Sequence, residues 1–167
     1  TGDDSIEMEL NAEDGVTVSQ GISIAGNSIL NSGDYGIVIE SYISTGSTLT
    51  QSVAITGNLI DRAGEDGVNI AANASYGGAI TQTVAVSGNS INDVGEDGIY
   101  IFAGVRRFDS SVTQSVSISG NSISNTGDEG IQVVTYASFG TVNQTLLSIK
   151  GYTLSYIGDV CIELDNS

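Results

Sequence analysis

Apolar and polar residues alternate along this chain in short runs, and the runs recur. Ile6/Met8, Ile37/Ile39, Val68/Ile70, Ile99/Ile101, Ile131/Val133 and Ile162/Leu164 mark one strand in each unit. Ile22/Ile24, Val53/Ile55, Val84/Val86, Val116/Ile118 and Leu147/Ile149 mark a second. A single apolar position follows each of these: Ile29, Ile60, Ile91, Ile123 and Leu154. A period of two over β-branched residues, bounded by glycine and asparagine, predicts strands with one buried face. That period and the frequency of glycine exclude helix.

A glycine opens each unit at positions 26, 57, 88, 120 and 151, in steps of 31, 31, 32 and 31 residues. A second glycine column runs through Gly2, Gly33, Gly64, Gly95, Gly127 and Gly158 with the same steps. There is no linker, no shift in composition and no proline, so residues 1–167 read as one repeat domain. One unit cannot bury its own apolar face. Equivalent strands stacked in parallel can, and parallel crossovers are overwhelmingly right-handed. The predicted fold is all-β: a right-handed parallel β-helix (solenoid) of about five to six rungs, about 31 residues each, rising about 4.8 Å per rung.

The remaining columns receive roles within that frame. Gly33, Gly64, Gly95 and Gly127 are expected to turn the chain at positive φ, and Gly36, Gly67, Gly98 and Gly130 to let it re-enter the wall closely. Asn27, Asn58, Asn89 and Asn121 stand at the turn after the longer strand, where each amide can bond to the amide on the next rung. Gln20, Gln51, Gln82 and Gln114 form an inward column from which Gln144 is displaced by one residue. A buried glutamine ladder is satisfied only if every rung supplies a member. Segments of about ten residues, such as "ESYISTGSTLTQ" from Glu40 and "FAGVRRFDSSVTQ" from Phe102, are expected to bulge from one edge.

The stretch "SVAITGNLIDRAGEDGVNI" at 52–70, with copies at 83–101 and 115–133, resembles the parallel β-helix repeat of the pectin-lyase-like superfamily. The resemblance covers nearly the whole chain and implies the fold. The superfamily holds polysaccharide lyases, glycosidases, epimerases, phage tailspikes, adhesins and surface proteins, so the fold does not select an activity.

Charge narrows the choice. The net charge is −16, and the cations are Arg62, Arg106, Arg107 and Lys150. Nucleic acid is excluded as a partner because phosphate binding needs a basic surface. Anionic membranes would repel the chain, and no apolar run is long enough to span a bilayer. Thr1 fits a processed end or an arbitrary boundary of the sequence. Few lysines and many small polar residues suit an extracellular or cell-surface setting. Cys161 stands alone, in the column of Gly36, Gly67, Gly98 and Gly130, and with no histidine to activate it reads as a stand-in for glycine.

Candidate chemistry follows from three patterns. The acidic turn places Asp3, Asp34, Glu65, Glu96, Asp128 and Asp159 in one column, and Asp4, Tyr35, Asp66, Asp97, Glu129 and Val160 in the next. Carboxylates stacked at about 4.8 Å repel by about 0.9 kcal/mol in water. Asp34, Glu65, Asp66, Glu96, Asp97, Asp128 and Glu129 are therefore a candidate calcium ladder, or simply solvated acids capping local N–H groups. Thr50, Ser52, Thr81, Thr83, Thr113 and Ser115 share the outward parity of the long strand and form a flat hydroxyl face fit for a glycan, for ice or for nothing beyond solvent. Tyr42, Tyr76, Phe108, Tyr136 and Phe139 can stack on sugars or cover rung edges. Asn73 and Asn143 begin glycosylation acceptors.

No catalytic residue is assigned. The acids of the turn columns have copies in neighbouring turns, histidine is absent, and the one basic cluster, Arg106-Arg107, reads as a solvated loop. The expected function is a non-catalytic extracellular structural or adhesive solenoid, a subunit of a fibre or surface assembly or a segment of a large adhesin. The alternatives are a polysaccharide-active enzyme and a glycan- or ice-binding module. Expected partners are further copies, end to end because neither terminus reads as a cap, or laterally, together with glycans.

Overall fold

A computed structural model describes residues 3–166. Thr1 and Gly2, the first member of the second glycine column, lie outside the described residues. The first turn is β1 (Ile6–Ala12), β2 (Thr17–Ala25) and β3 (Ser28–Leu30). The second is β4 (Ile37–Ile43), β5 (Thr48–Thr56) and β6 (Leu59–Ala63), and the third is β7 (Val68–Ala74), β8 (Ala79–Ser87) and β9 (Ser90–Val94). The fourth is β10 (Ile99–Val105), β11 (Ser111–Ser119) and β12 (Ser122–Thr126). The fifth is β13 (Ile131–Ala137), β14 (Thr141–Lys150) and β15 (Thr153–Ile157), and β16 (Ile162–Asn166) follows. Each strand pairs in parallel with its equivalents in the turns below and above. The first sheet is β1-β4-β7-β10-β13-β16, the second β2-β5-β8-β11-β14, and the third β3-β6-β9-β12-β15. The chain is a parallel β-solenoid of about five turns.

Register follows the apolar columns. Ile99 pairs with Val68 and Ile131, and Ile101 with Ile70 and Val133; Ile99 and Ile101 are wholly buried. The first and second strands of each turn face one another across a core that the third closes with Ile29, Ile60, Ile91 and Ile123. The segments expected to bulge do not. Their residues extend both long strands and leave a short stacked turn, and they close a second apolar cluster containing Ile43, Leu49, Ile80, Val105 and Val112. Between the two clusters the inward position belongs to glutamine.

Gln51 donates to Gln20 Oε1 (3.2 Å), Gln82 to Gln51 (2.6 Å), Gln114 to Gln82 (2.6 Å) and Gln144 to Gln114 (2.6 Å). Each upper turn donates to the lower one. Gln144 is thus a full member, paired directly with Gln114. The displacement lies further along: the register slips between Val116 and Ser117, so Leu146 pairs with Val116 and Ser148 with Ser117. Leu147 is the extra residue and is 62% exposed, so the inward apolar pair on β14 is Leu146/Ile149, not Leu147/Ile149.

The asparagine column is satisfied in the opposite sense. Asn27 Nδ2 donates to Asn58 Oδ1 (3.0 Å), Asn58 to Asn89 (3.0 Å) and Asn89 to Asn121 (2.9 Å). Each of these acceptors also takes the backbone N–H of the asparagine below. The Nδ2 of Asn58 also reaches the Ile24 carbonyl at 3.0 Å, which fixes the amide's orientation. Among the described residues no buried side-chain nitrogen or oxygen lacks a partner.

The glycine columns exchange roles. Positive φ belongs to Gly26, Gly57, Gly88, Gly120 and Gly151, beside the asparagines, and not to Gly33, Gly64, Gly95 and Gly127. The second column is glycine for lack of room: a Cβ on Gly95 would overlap the Gly64 carbonyl. On Gly67 a Cβ would lie 2.5 Å from Ile91 Cγ2 and 2.7 Å from the Gly98 carbonyl of the next turn. Cys161 occupies that same column but is exposed, with no described turn above it, so its side chain fits.

These two kinds of glycine should respond differently to alanine. Gly88 has open space around its Cβ position but φ +65°, so Gly88→Ala is expected to cost about 1–2 kcal/mol. Gly95→Ala drives a methyl into backbone and should exceed the roughly 1–3 kcal/mol of ordinary overpacking. Urea denaturation of both variants measures the difference, and equal losses would contradict the assigned roles.

Candidate functional site

The repeat lapses on one surface. Outward positions of the first sheet read Val38, Asn69, Tyr100 and Gln132 in one column, and Glu40, Ala71, Phe102 and Val134 in the next. The third reads Tyr42, Asn73, Gly104 and Tyr136. Ala71 therefore lies between Glu40 and Phe102, and Asn73 and Gly104 lie between Tyr42 and Tyr136. The result is a groove of about 680 Å³, within the roughly 300–1,000 Å³ typical of small-molecule sites. Ala71 and Asn73 line it on β7, with Glu40 and Tyr42 from β4, Tyr100 and Phe102 from β10, and Tyr76, Glu13 and Arg106 from the turns. The Tyr100 and Phe102 rings stand parallel within 8°, with centroids 6.4 Å apart. Burial and then the Glu40 carboxylate raise the Tyr42 phenol above its ordinary value, so it remains a donor at any physiological pH.

The acidic turn borders the first sheet on the side of the third. Its two columns separate. Asp34, Glu96 and Asp128 are exposed and Glu65 is half-buried. In the second column Asp66 and Asp97 are only 3% and 5% exposed. They face backbone: Asp66 Oδ1 accepts the Asp97 N–H and Asp97 Oδ1 the Glu129 N–H, both at 2.9 Å, and Asp66 Oδ2 accepts from Asn69 at 2.8 Å. Asp4 does the same for Tyr35 at 3.0 Å. These acids act as turn caps. Among the described residues, three carboxylates converge within 4.8 Å at Asp3, Asp4 and Asp34, so of the seven expected ladder acids Asp34 alone joins such a group.

Burial drives the electrostatics of this turn. Asp66 is raised from 3.8 to about 6 by desolvation, against the pull of its two hydrogen bonds. Asp97 is raised well above the carboxylate range, first by desolvation and then by Glu129 beside it. Glu96 is raised by burial and by Glu65 and Asp128.

The opposite border of the first sheet is aromatic. Phe108 and Phe139, each 67% exposed, lie 4.7 Å apart between centroids, and the Arg107 guanidinium sits 5.2 Å from the Tyr76 ring centre. The ion pair among the described residues is Arg62–Asp61 at 2.8 Å, far from this edge in sequence.

The hydroxyl lattice lies on the second sheet in the expected register. Thr50, Thr81 and Thr113 are exposed and aligned, as are Ser52, Thr83 and Ser115, of which Ser115 is half-buried. Asn143 extends the first of these columns and is exposed; Asn73 is half-buried in the groove. Sequence reasoning named Tyr42, Tyr76 and Arg106 but missed Asn69, Tyr100 and Phe102. Their signal was present as the varying letter in "GIVIE", "GVNIA", "GIYIF" and "GIQVV". No family model, curated protein or solved structure matches the chain.

The buried aspartates set a pH dependence. Each binds its proton more tightly folded than unfolded, so their contribution to stability is full below the ordinary carboxylate range. It is lost as pH rises from about 4 through the raised folded values. Thermal melts should show stability falling from about pH 4 towards neutrality. Asp97→Asn keeps an acceptor for the Glu129 N–H and removes the charge, so it should flatten that fall. A melting curve that rises over this range, or an unaltered slope in Asp97→Asn, would contradict the assignment.

Proposed function

We propose that the protein is a non-catalytic, extracellular adhesive β-solenoid that holds a carbohydrate chain in the groove on its first sheet. One observation carries this reading: the core, turn and ladder columns repeat almost without change, while the outward residues that line this groove differ from turn to turn. Outward residues of the third sheet also vary, from Leu30 through Asp61 and Asn92 to Ser124, so it is variation together with an aromatic-lined groove that supports recognition on the first sheet. The lining suits sugars, whose apolar faces stack on aromatic rings while their hydroxyls meet amides and carboxylates. Asn69, Asn73 and Glu40 supply the polar partners, and Tyr42, Tyr100 and Phe102 the rings. The acidic, lysine-poor surface supports an extracellular or cell-surface location. The repeat and its asparagine turn column support a place among pectin-lyase-like solenoids, where surface proteins and enzymes share one scaffold.

A panel of immobilised polysaccharides tests the reading. Tyr100→Ala and Asn69→Ala should each weaken retention of the bound glycan by about tenfold, the cost of one stacking or hydrogen-bonding contact of about 1.4 kcal/mol, with little change in melting temperature for Tyr100→Ala. Unaltered retention in both variants would move recognition to the hydroxyl face of the second sheet, where Thr83→Leu is the corresponding probe. Release of reducing ends from any polysaccharide, abolished by Arg106→Ala, would instead make the groove an active site, since Arg106 lines it beside Glu13 and Glu40.

A further inference from the structure

The two borders of the first sheet carry opposite chemistry. Along one runs the exposed acid column of Asp34, Glu96 and Asp128, with Glu65 half-buried among them. Immediately before it in each turn lies an exposed strip of glycines, Gly64, Gly95 and Gly127, flat because no side chain projects there. Along the other border stand Arg107 and the ring pair Phe108–Phe139. Arg107 has no carboxylate partner among the described residues, in a chain whose acids outnumber its cations 20 to 4. Two large rings left 67% exposed, beside a guanidinium that rests on the Tyr76 ring and has no carboxylate partner among the described residues, favour a docking surface over a solvated loop.

We infer that the two borders are complementary halves of a side-by-side contact between copies of this chain, the Arg107–Phe108–Phe139 edge of one copy seating on the acid-and-glycine edge of the next. Strand β10 sets the height. Glu96 lies three residues before it and Arg107 two residues after it. Two copies side by side, in the same orientation and with no axial shift, bring Arg107 of one opposite Glu96 of the other. Glu65 and Asp128 then lie about 4.8 Å below and above. The phenylalanine rings lie over the glycine strip, which offers a flat backbone surface at the same level. The net charge of −16 does not forbid this: at physiological salt the screening length is about 8 Å, so the residues at the contact decide its sign. The contact is heterologous, so it repeats without closing and yields a ribbon whose first sheets, and their grooves, face one way. It does not depend on what the groove holds.

Sedimentation velocity over a concentration series at physiological salt tests this, with chelator present so that no metal ion bridges the carboxylates. The wild-type chain should form concentration-dependent oligomers. Arg107→Glu and Glu96→Arg should each weaken association by about tenfold or more, and an equimolar mixture of the two variants should restore it, because every contact between unlike variants again pairs opposite charges. Both residues are exposed, and unchanged circular dichroism would confirm folding. The inference is overturned if the wild type stays monomeric up to its solubility limit or if the mixture fails to recover. It is overturned equally if Glu96→Arg leaves association intact, since that would mean aromatic edges meeting each other.

Discussion

The structure depends on in-register stacking of identical positions at a spacing of about 4.8 Å. At that distance a residue's principal neighbours are its own counterparts one turn away. Each column must therefore suit a contact with itself. Isoleucine and valine do so inside, because β-branched chains pack on their copies in an extended strand. Asparagine and glutamine do so where a polar group must be buried, because an amide both donates and accepts. Acids suit it poorly, and the turn shows two ways of tolerating them: the first column stays in solvent, and the second turns its oxygens to backbone N–H groups.

That rule explains how much of the fold was legible in the sequence. Ile99, Ile101 and Ile60 could be assigned to the interior because their counterparts agree at every turn. The asparagine ladder was legible to Asn121, and the glutamine ladder to Gln114, because a self-pairing residue recurred in successive turns. The errors share a cause as well. A count of residues cannot say where within a turn an insertion falls, so Gln144 was read as displaced when Leu147 carries the bulge. Glycine tells of a constraint without naming it, so positive φ was given to Gly95 when Gly88 has it and Gly95 lacks room for a side chain.

The groove was less legible in the sequence because its residues do not repeat. Alignment of a chain with itself rewards agreement, whereas a binding surface on a repeat must be specific and so differs between turns. Tyr100 and Phe102 stand where the preceding turn has asparagine and alanine, and only the three-dimensional stack shows that these smaller residues line a groove beside the rings. The acids drew attention because they repeat, and Asp66 and Asp97 repeat because they cap the backbone.

The two amide ladders run in opposite senses. Within the ladders Asn27, Asn58 and Asn89 donate to the asparagine of the next turn, and Gln51, Gln82, Gln114 and Gln144 to the glutamine of the preceding one. A chain of aligned amides is polarised along its length and strengthens its members cooperatively. Here the two chains carry antiparallel dipoles along the axis, and the strands themselves lie across it. An α-helix accumulates partial charge at its ends, and those ends demand caps and counterions. This rod gains the cohesion of two hydrogen-bonded columns whose dipoles oppose one another, so adding turns builds less axial potential than either column would alone.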